Sequence, residues 1–232
     1  MLDYLFPVCC PICQKPVVPK GSFLHEECKR KIKLIETPFC LKCGRKIKDE
    51  SAELCSSCRS EAFAFDAGRC TFAYHSGIGE AIKWVKEEGT CEFVDFFGRT
   101  AAERHSSFIE AARPEVIVPV PMDRRKEMIR GFNQSELIAE SLSKHINVPV
   151  KGLLCKVGKT RDQKRLNRQQ RTQNLARVFD VVKEHEKMPE RVLIADDIFT
   201  TGSTVNACAM ALKRAGVKKV YFICIAAGTA DD

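Results

Sequence analysis

The chain has 232 residues, with 38 Lys and Arg against 30 Asp and Glu, and 44% hydrophobic residues. That length carries one sizeable core plus a small appended module, and no segment approaches the roughly 18 consecutive apolar residues that a membrane span needs. The opening MLDYLFPVCC lacks the basic start and long apolar stretch of a secretory signal, so a cytosolic protein is expected.

Eight of the 13 cysteines fall in the first 58 residues. In a reducing compartment, clustered thiols indicate metal or redox chemistry rather than disulfides. The pattern Cys10-x2-Cys13-x11-His25-x2-Cys28 recurs 30 residues later as Cys40-x2-Cys43-x11-Cys55-x2-Cys58. Each copy is a complete four-ligand set, and two such knuckles close a structural zinc site with no open position. Two structural zinc sites are therefore expected, the second the firmer. In the first, Cys9 could take the fourth position and leave His25 solvated beside Glu26 and Glu27; the 30-residue register favours His25. A redox dithiol is the alternative for any single Cys-x2-Cys, and four half-motifs in register argue against it. Cys70, Cys91, Cys155, Cys208 and Cys224 read as small core hydrophobes.

After this head, expected to occupy residues 1–60, the composition changes. Residues 59–77 show rough alternation of aromatic and small residues, which predicts a strand pair opening a second domain over 61–232. Residues 79–88 and 95–112 carry apolar residues at helical spacing. PEVIVPVP (114–121) reads as a buried strand stopped by prolines, followed by basic MDRRKEMIRGFNQ and a helix over 135–146. Strands are predicted at 147–155, 178–182, 191–195 and 218–228. A helix over 203–216 places Val205, Cys208, Ala209 and Leu212 on one face. Strands alternating with helices give an α/β fold with a parallel sheet, whose ligands collect at the carboxyl ends of the strands.

The stretch RVLIADDIFTTGST (191–204) lies at such an end. Backbone N–H groups at a helix start are unsatisfied and attract phosphate. Thr200, Thr201, Ser203 and Thr204 add hydroxyls, and Gly202 lets the backbone approach closely. Asp196 and Asp197 would repel a phosphate but suit the vicinal hydroxyls of a sugar, so the combination fits ribose 5-phosphate better than a capped helix with an acidic turn. Between Lys151 and Arg177 nine bases face Asp162 alone, so this segment holds the whole net charge of +8. Such a block is a solvated surface segment or an anion-binding element.

VLIADDIFTTGST resembles the signature of type I phosphoribosyltransferases. That resemblance implies a Rossmann-like parallel sheet flanked by helices, with Asp196 and Asp197 on the ribose hydroxyls of phosphoribosyl pyrophosphate (PRPP) and Thr200 through Thr204 on its 5-phosphate. A duplicated zinc-ribbon head, then VPVPMDRRKEMIRGFNQ, a basic QKRLNRQQRTQNLARVF and this signature are together similar in order to the ComF family of bacterial competence-associated proteins. The comparison implies Arg124, Arg125 and Lys126 for the diphosphate, Mg²⁺ with PRPP, and a mobile active-site loop in which Arg171 and Asn174 match best, Arg171 in a catalytic role. It also implies single-stranded DNA and a helicase-like ATPase as partners in DNA uptake, with the protein held at the inner membrane face through such a partner. Gly131 is expected to permit a turn, and Asn133 to cap the helix after it. EAIKWVKEEG departs from the family's more basic helix, and Glu87 and Glu88 argue against an extended nucleic-acid surface there.

Overall fold

The computed structural model describes residues 8–17, 22–88, 91–157, 178–182 and 187–230. The sequence repeat is a structural repeat. In each copy the first Cys-x2-Cys pair forms a turn closed by a bond to the first cysteine's carbonyl, from Gln14 N–H to Cys10 at 2.7 Å and from Gly44 N–H to Cys40 at 2.8 Å. Both donors have positive φ, 61° and 72°. The second ligand pair opens a short helix in each copy, α1 (Glu26–Lys29) after His25 and α2 (Ser56–Ser60) after Cys55.

The remaining elements are β1 (Ala67–Ala73), α3 (Ser76–Glu88), α4 (Cys91–Arg104), α5 (Ser106–Ala112), β2 (Val116–Pro119), α6 (Arg124–Arg130) and α7 (Gln134–Ile146). They continue with β3 (Leu154–Lys156), β4 (Phe179–Val181), β5 (Arg191–Phe199), α8 (Ser203–Arg214) and β6 (Lys219–Ala227). The main sheet is parallel throughout, in the order β1-β6-β5-β2, as the alternation of strands and helices predicts. A parallel bridge from Ile117 to Val150 adds an extended segment at its edge. Strands β3 and β4 form a separate antiparallel pair. No helix among the described residues is long and apolar enough to cross a membrane.

Alternation along β5 divides the core. Val192 and Ile194 join a cluster with Val205, Cys208, Ala209 and Leu212 of α8, and the second ribbon's Cys40, Cys43, Ile47 and Cys55 belong to the same cluster. Leu193 and Ala195 join the opposite cluster with Phe93, Phe97, Ile138 and Leu142 of α4 and α7. The first ribbon's Cys10, Val17 and Cys28 form a small cluster of their own.

Helices α4 and α7 meet closely at Gly98, where an added Cβ would lie 2.1 Å from Ser141 Oγ and 2.8 Å from the Leu142 backbone nitrogen. Backbone cannot yield as a side-chain tip can, so Gly98→Ala is expected to cost about 2–3 kcal/mol, read as a lower urea midpoint at unchanged slope.

Four sequence expectations differ from the structure. Residues 59–77 hold one strand, not two: the Phe63 and Phe65 rings stack at 5.0 Å, and buried Phe65 packs edge-on to Phe222, so their alternation records packing on the sheet. The helix expected over 95–112 breaks at His105, which is buried against Thr71 Oγ1 at 3.3 Å. The strand expected over 147–155 is divided between the bridge at Val150 and β3. Strand β5 continues to Phe199 because β6 keeps pairing with it up to Ala227, whereas β2 stops opposite Ala195.

Candidate phosphoribosyl site

The two acids stand where β5 outruns β2, inside the strand rather than at its end. The two carboxylates take different partners. Asp196 Oδ1 accepts from Ser135 Oγ, in the first turn of α7, at 3.0 Å and from the Asp197 N–H at 3.0 Å. Burial, and then the charge of Asp197, raise Asp196 to about 7, opposed by these hydrogen bonds and by Lys86. Asp197 Oδ2 lies 2.8 Å from Lys86 Nζ of α3. This ion pair is the charge compensation for that buried oxygen.

Past Phe199 the loop turns into α8. Gly202, at φ 81°, precedes the helix and supplies no side-chain cap. An added Cβ there would lie 2.6 Å from the Phe199 ring, so glycine is required by both conformation and space. Thr200, Thr201 and Thr204 are exposed, and the Thr201 and Ser203 hydroxyls lie 2.7 Å apart. The structure thus brings Asp196, Asp197 and residues 200–204 onto one strand, loop and helix start.

Arg124, Arg125 and Lys126 form the exposed first turn of α6, capped by Asp123 Oδ1, which accepts from the Arg125 N–H at 3.1 Å. This helix follows β2, the neighbour of β5. RGFNQ joins α6 to α7. Gly131 ends α6 at φ 84°, and Asn133 caps α7 by accepting from the Ser135 N–H at 3.1 Å, as the sequence predicts. Asn133 Nδ2 also donates to the Val120 carbonyl at 3.0 Å, tying the turn after β2 to the helix that presents Ser135. Arg171, Asn174 and most of the basic block lie outside the described residues.

An open cleft of about 510 Å³ adjoins the acids, lined by Tyr74, His75, Lys83, Lys86, Arg130 and Ile198 among others. Tyr74 is half exposed. His75 Nε2 accepts the Lys33 N–H at 3.3 Å, and burial followed by Lys33 lowers its pKa, so it faces the cleft as a neutral ring. Lys86 and Ser135 escape the sequence reading: Lys86 sits in a helix noted for its acids, and Ser135 resembles any polar residue of a first turn. Only the tertiary fold brings them to the strand.

The ligand atoms of Cys10, Cys13, His25 and Cys28, and those of Cys40, Cys43, Cys55 and Cys58, each lie within 4.8 Å of one another. Three thiols with an imidazole, and four thiols, are donor sets suited to tetrahedral zinc. His25 Nε2 lies 3.0 Å from the Pro16 carbonyl; donating there leaves Nδ1, beside Cys13 Sγ at 3.4 Å, as the metal-facing nitrogen. Cys9 stands outside the group.

Residues 1–59 match the double zinc ribbon domain family, and residues 133–232 match the phosphoribosyl transferase domain family. Competence protein F of Haemophilus influenzae is 28% identical over 202 residues, covering 83% of this chain and 85% of its own. Competence protein ComFC of Bacillus subtilis is 24% identical over 197 residues, covering 82% and 77%. The DNA utilization protein YhgH of Escherichia coli is 34% identical over 113 residues, which is 48% of this chain and 49% of its own. With two zinc-binding sites in a ribbon head and a phosphoribosyltransferase domain built on a parallel sheet, the chain is, over most of its length, a homologue of competence proteins F and ComFC.

Proposed function

We propose that the chain binds PRPP with Mg²⁺ and transfers ribose 5-phosphate to an acceptor in the handling of incoming DNA, with residues 1–60 as zinc head and 61–232 as the phosphoribosyl half. One observation carries this reading: two buried carboxylates stand directly before a hydroxyl-rich loop that opens a helix without a side-chain cap. Asp196 and Asp197 would accept from the ribose hydroxyls, and Thr200 through Thr204 would hold the 5-phosphate. The cations of Arg124, Arg125 and Lys126 suit the diphosphate. Two carboxylates and four hydroxyls form an oxygen lining compatible with a hard cation, and Mg²⁺ riding on the diphosphate would offset charge on that leaving group. Glycosyl transfer builds positive charge on the sugar, which the paired acids offset. The cleft at Tyr74 and His75 borders this sugar and is the space for an acceptor.

Calorimetry of the zinc-loaded protein with PRPP and magnesium tests the binding. A micromolar dissociation constant that is lost in Asp197→Ala is the expected result, and absence of heat overturns the reading.

A second reading is favoured by the charge concentrated in residues 151–177: a non-catalytic module for single-stranded DNA, working with a helicase-like ATPase at the inner membrane face. The DNA utilization relative points the same way, although that segment has no aromatic residue for base stacking. Phosphate contacts by its bases predict a log affinity that falls with log salt by about 0.7 per contact. An affinity insensitive to salt, or none at all, counts against it.

A further inference from the structure

Arg45 belongs to the second zinc knuckle, two residues after Cys43, and is 6% exposed. A buried guanidinium needs compensation, and this one finds it on two sides. Its Nη2 donates to Cys55 Sγ at 3.5 Å, and its Nη1 donates to the Thr200 carbonyl, 155 positions away, at 3.2 Å. The group also lies over the Phe199 ring, 5.5 Å from its centroid, on the ring that Gly202 packs against. The knuckle packs directly on the sheet: a Cβ on Gly44 would lie 2.6–2.8 Å from the backbone of Gly68, Arg69 and Cys70.

The carbonyl of Thr200 and the N–H of Thr201 belong to one planar trans peptide and point in opposite directions. With the carbonyl drawn inward to the buried guanidinium, the Thr201 N–H turns outward, to the side where exposed Thr201 stands. A zinc ion with four thiolates carries a net negative charge, which supplies the counter-charge that lets a cation stay buried at this place.

We propose that Arg45 is a positioning residue for the 5-phosphate: braced by the second zinc centre, it holds the Thr200–Thr201 peptide with its N–H facing the anion. This rests on the reading of Thr200 through Thr204 as the phosphate cradle. It makes the zinc ribbon a working part of the site, since the brace loses its counter-charge when the ion leaves. The first ribbon, with its separate small core, has no such contact among the described residues.

The test compares wild type with Arg45→Met and Arg45→Lys, each checked for two zinc ions per chain. In Arg45→Met, hydrogen–deuterium exchange of the peptide covering 199–206 rises while exchange of β6 does not change. Its affinity for ribose 5-phosphate falls about tenfold, the effect of one lost hydrogen bond to a charged group, and Arg45→Lys recovers part of it. Wild-type exchange and affinity in a fully metallated Arg45→Met overturn the proposal. Should that variant fail to fold, cobalt-substituted wild type decides: ribose 5-phosphate shifts its thiolate-to-cobalt absorption if the brace connects the sites, and an unshifted spectrum overturns it. Absence of any ribose 5-phosphate binding by wild type removes the phosphoribosyl reading, while the exchange comparison still judges the brace.

Discussion

Cys40→Ser is expected to unfold the phosphoribosyl half along with the ribbon, while Cys10→Ser leaves that half standing. Cys40 and Cys43 are fully buried in the cluster that also contains Val192, Ile194 and the apolar face of α8. The ribbon's backbone is bonded directly to the sheet, with Gly68 N–H donating to the Lys42 carbonyl at 2.8 Å and Ala230 N–H to the Lys46 carbonyl at 3.1 Å. Structural zinc contributes about 10–16 kcal/mol to small metal-folded units, against a net domain stability of about 5–15 kcal/mol. Losing a ligand at the second site therefore costs more than about 5 kcal/mol there. At the first site the fully buried cluster is only Cys10, Val17 and Cys28, and the ribbon meets the main core through partly buried Ile12, Phe23 and Leu24, so the loss there is expected to be smaller. Thermal unfolding followed through the single Trp84, with zinc counted in each variant, checks this. Equal drops in Tm for the two substitutions would mean that the ribbons are equivalent, contrary to their packing.

The parts read from sequence are those encoded locally. Ligand spacing needs no tertiary information, because a Cys-x2-Cys turn and a short helix are built from neighbouring residues. The same holds for β5, its loop and α8, where apolar run, acids, hydroxyls and helical face follow one another in a single stretch. Asn133 and Gly131 act on adjacent elements, so the cap and the turn at RGFNQ were readable, while the bond from Asn133 to Val120 was not. Long-range partners leave no local trace. Ser135 reaches Asp196 across 61 positions and Arg45 reaches Thr200 across 155. The length of β5 escapes local sequence for a related reason. Two acids look like the end of a buried strand, yet pairing with β6 decides where the strand stops.

Asp196 is expected to give stability and the proposed ligand affinity opposite responses to pH. In the folded chain burial and the Asp197 charge raise its pKa to about 7, against about 3.9 for an unfolded aspartate. Between those values the unfolded state has released a proton that the folded state still holds. Stability therefore falls as pH rises from about 4 to about 7, by at most about 4 kcal/mol. Asp196→Asn removes this loss, so the variant is expected to be about 2–4 kcal/mol more stable than wild type at pH 8 and close to it at pH 4.

If Asp196 takes the ribose hydroxyls as proposed, ribose binding is expected to run the other way, because an ionised carboxylate accepts hydroxyl hydrogen bonds more strongly than a protonated one. Affinity for ribose 5-phosphate should rise up to about tenfold per pH unit below 7 and level off above it. The ligand's own phosphate, which titrates near 6, contributes to both proteins alike, so the step specific to wild type isolates Asp196. Urea unfolding at several pH values, paired with calorimetry, separates the two responses. Parallel stability profiles for wild type and Asp196→Asn would show that the carboxyl titrates in its ordinary range. On the proposed role of Asp196, stability should fall and affinity rise over the same pH interval.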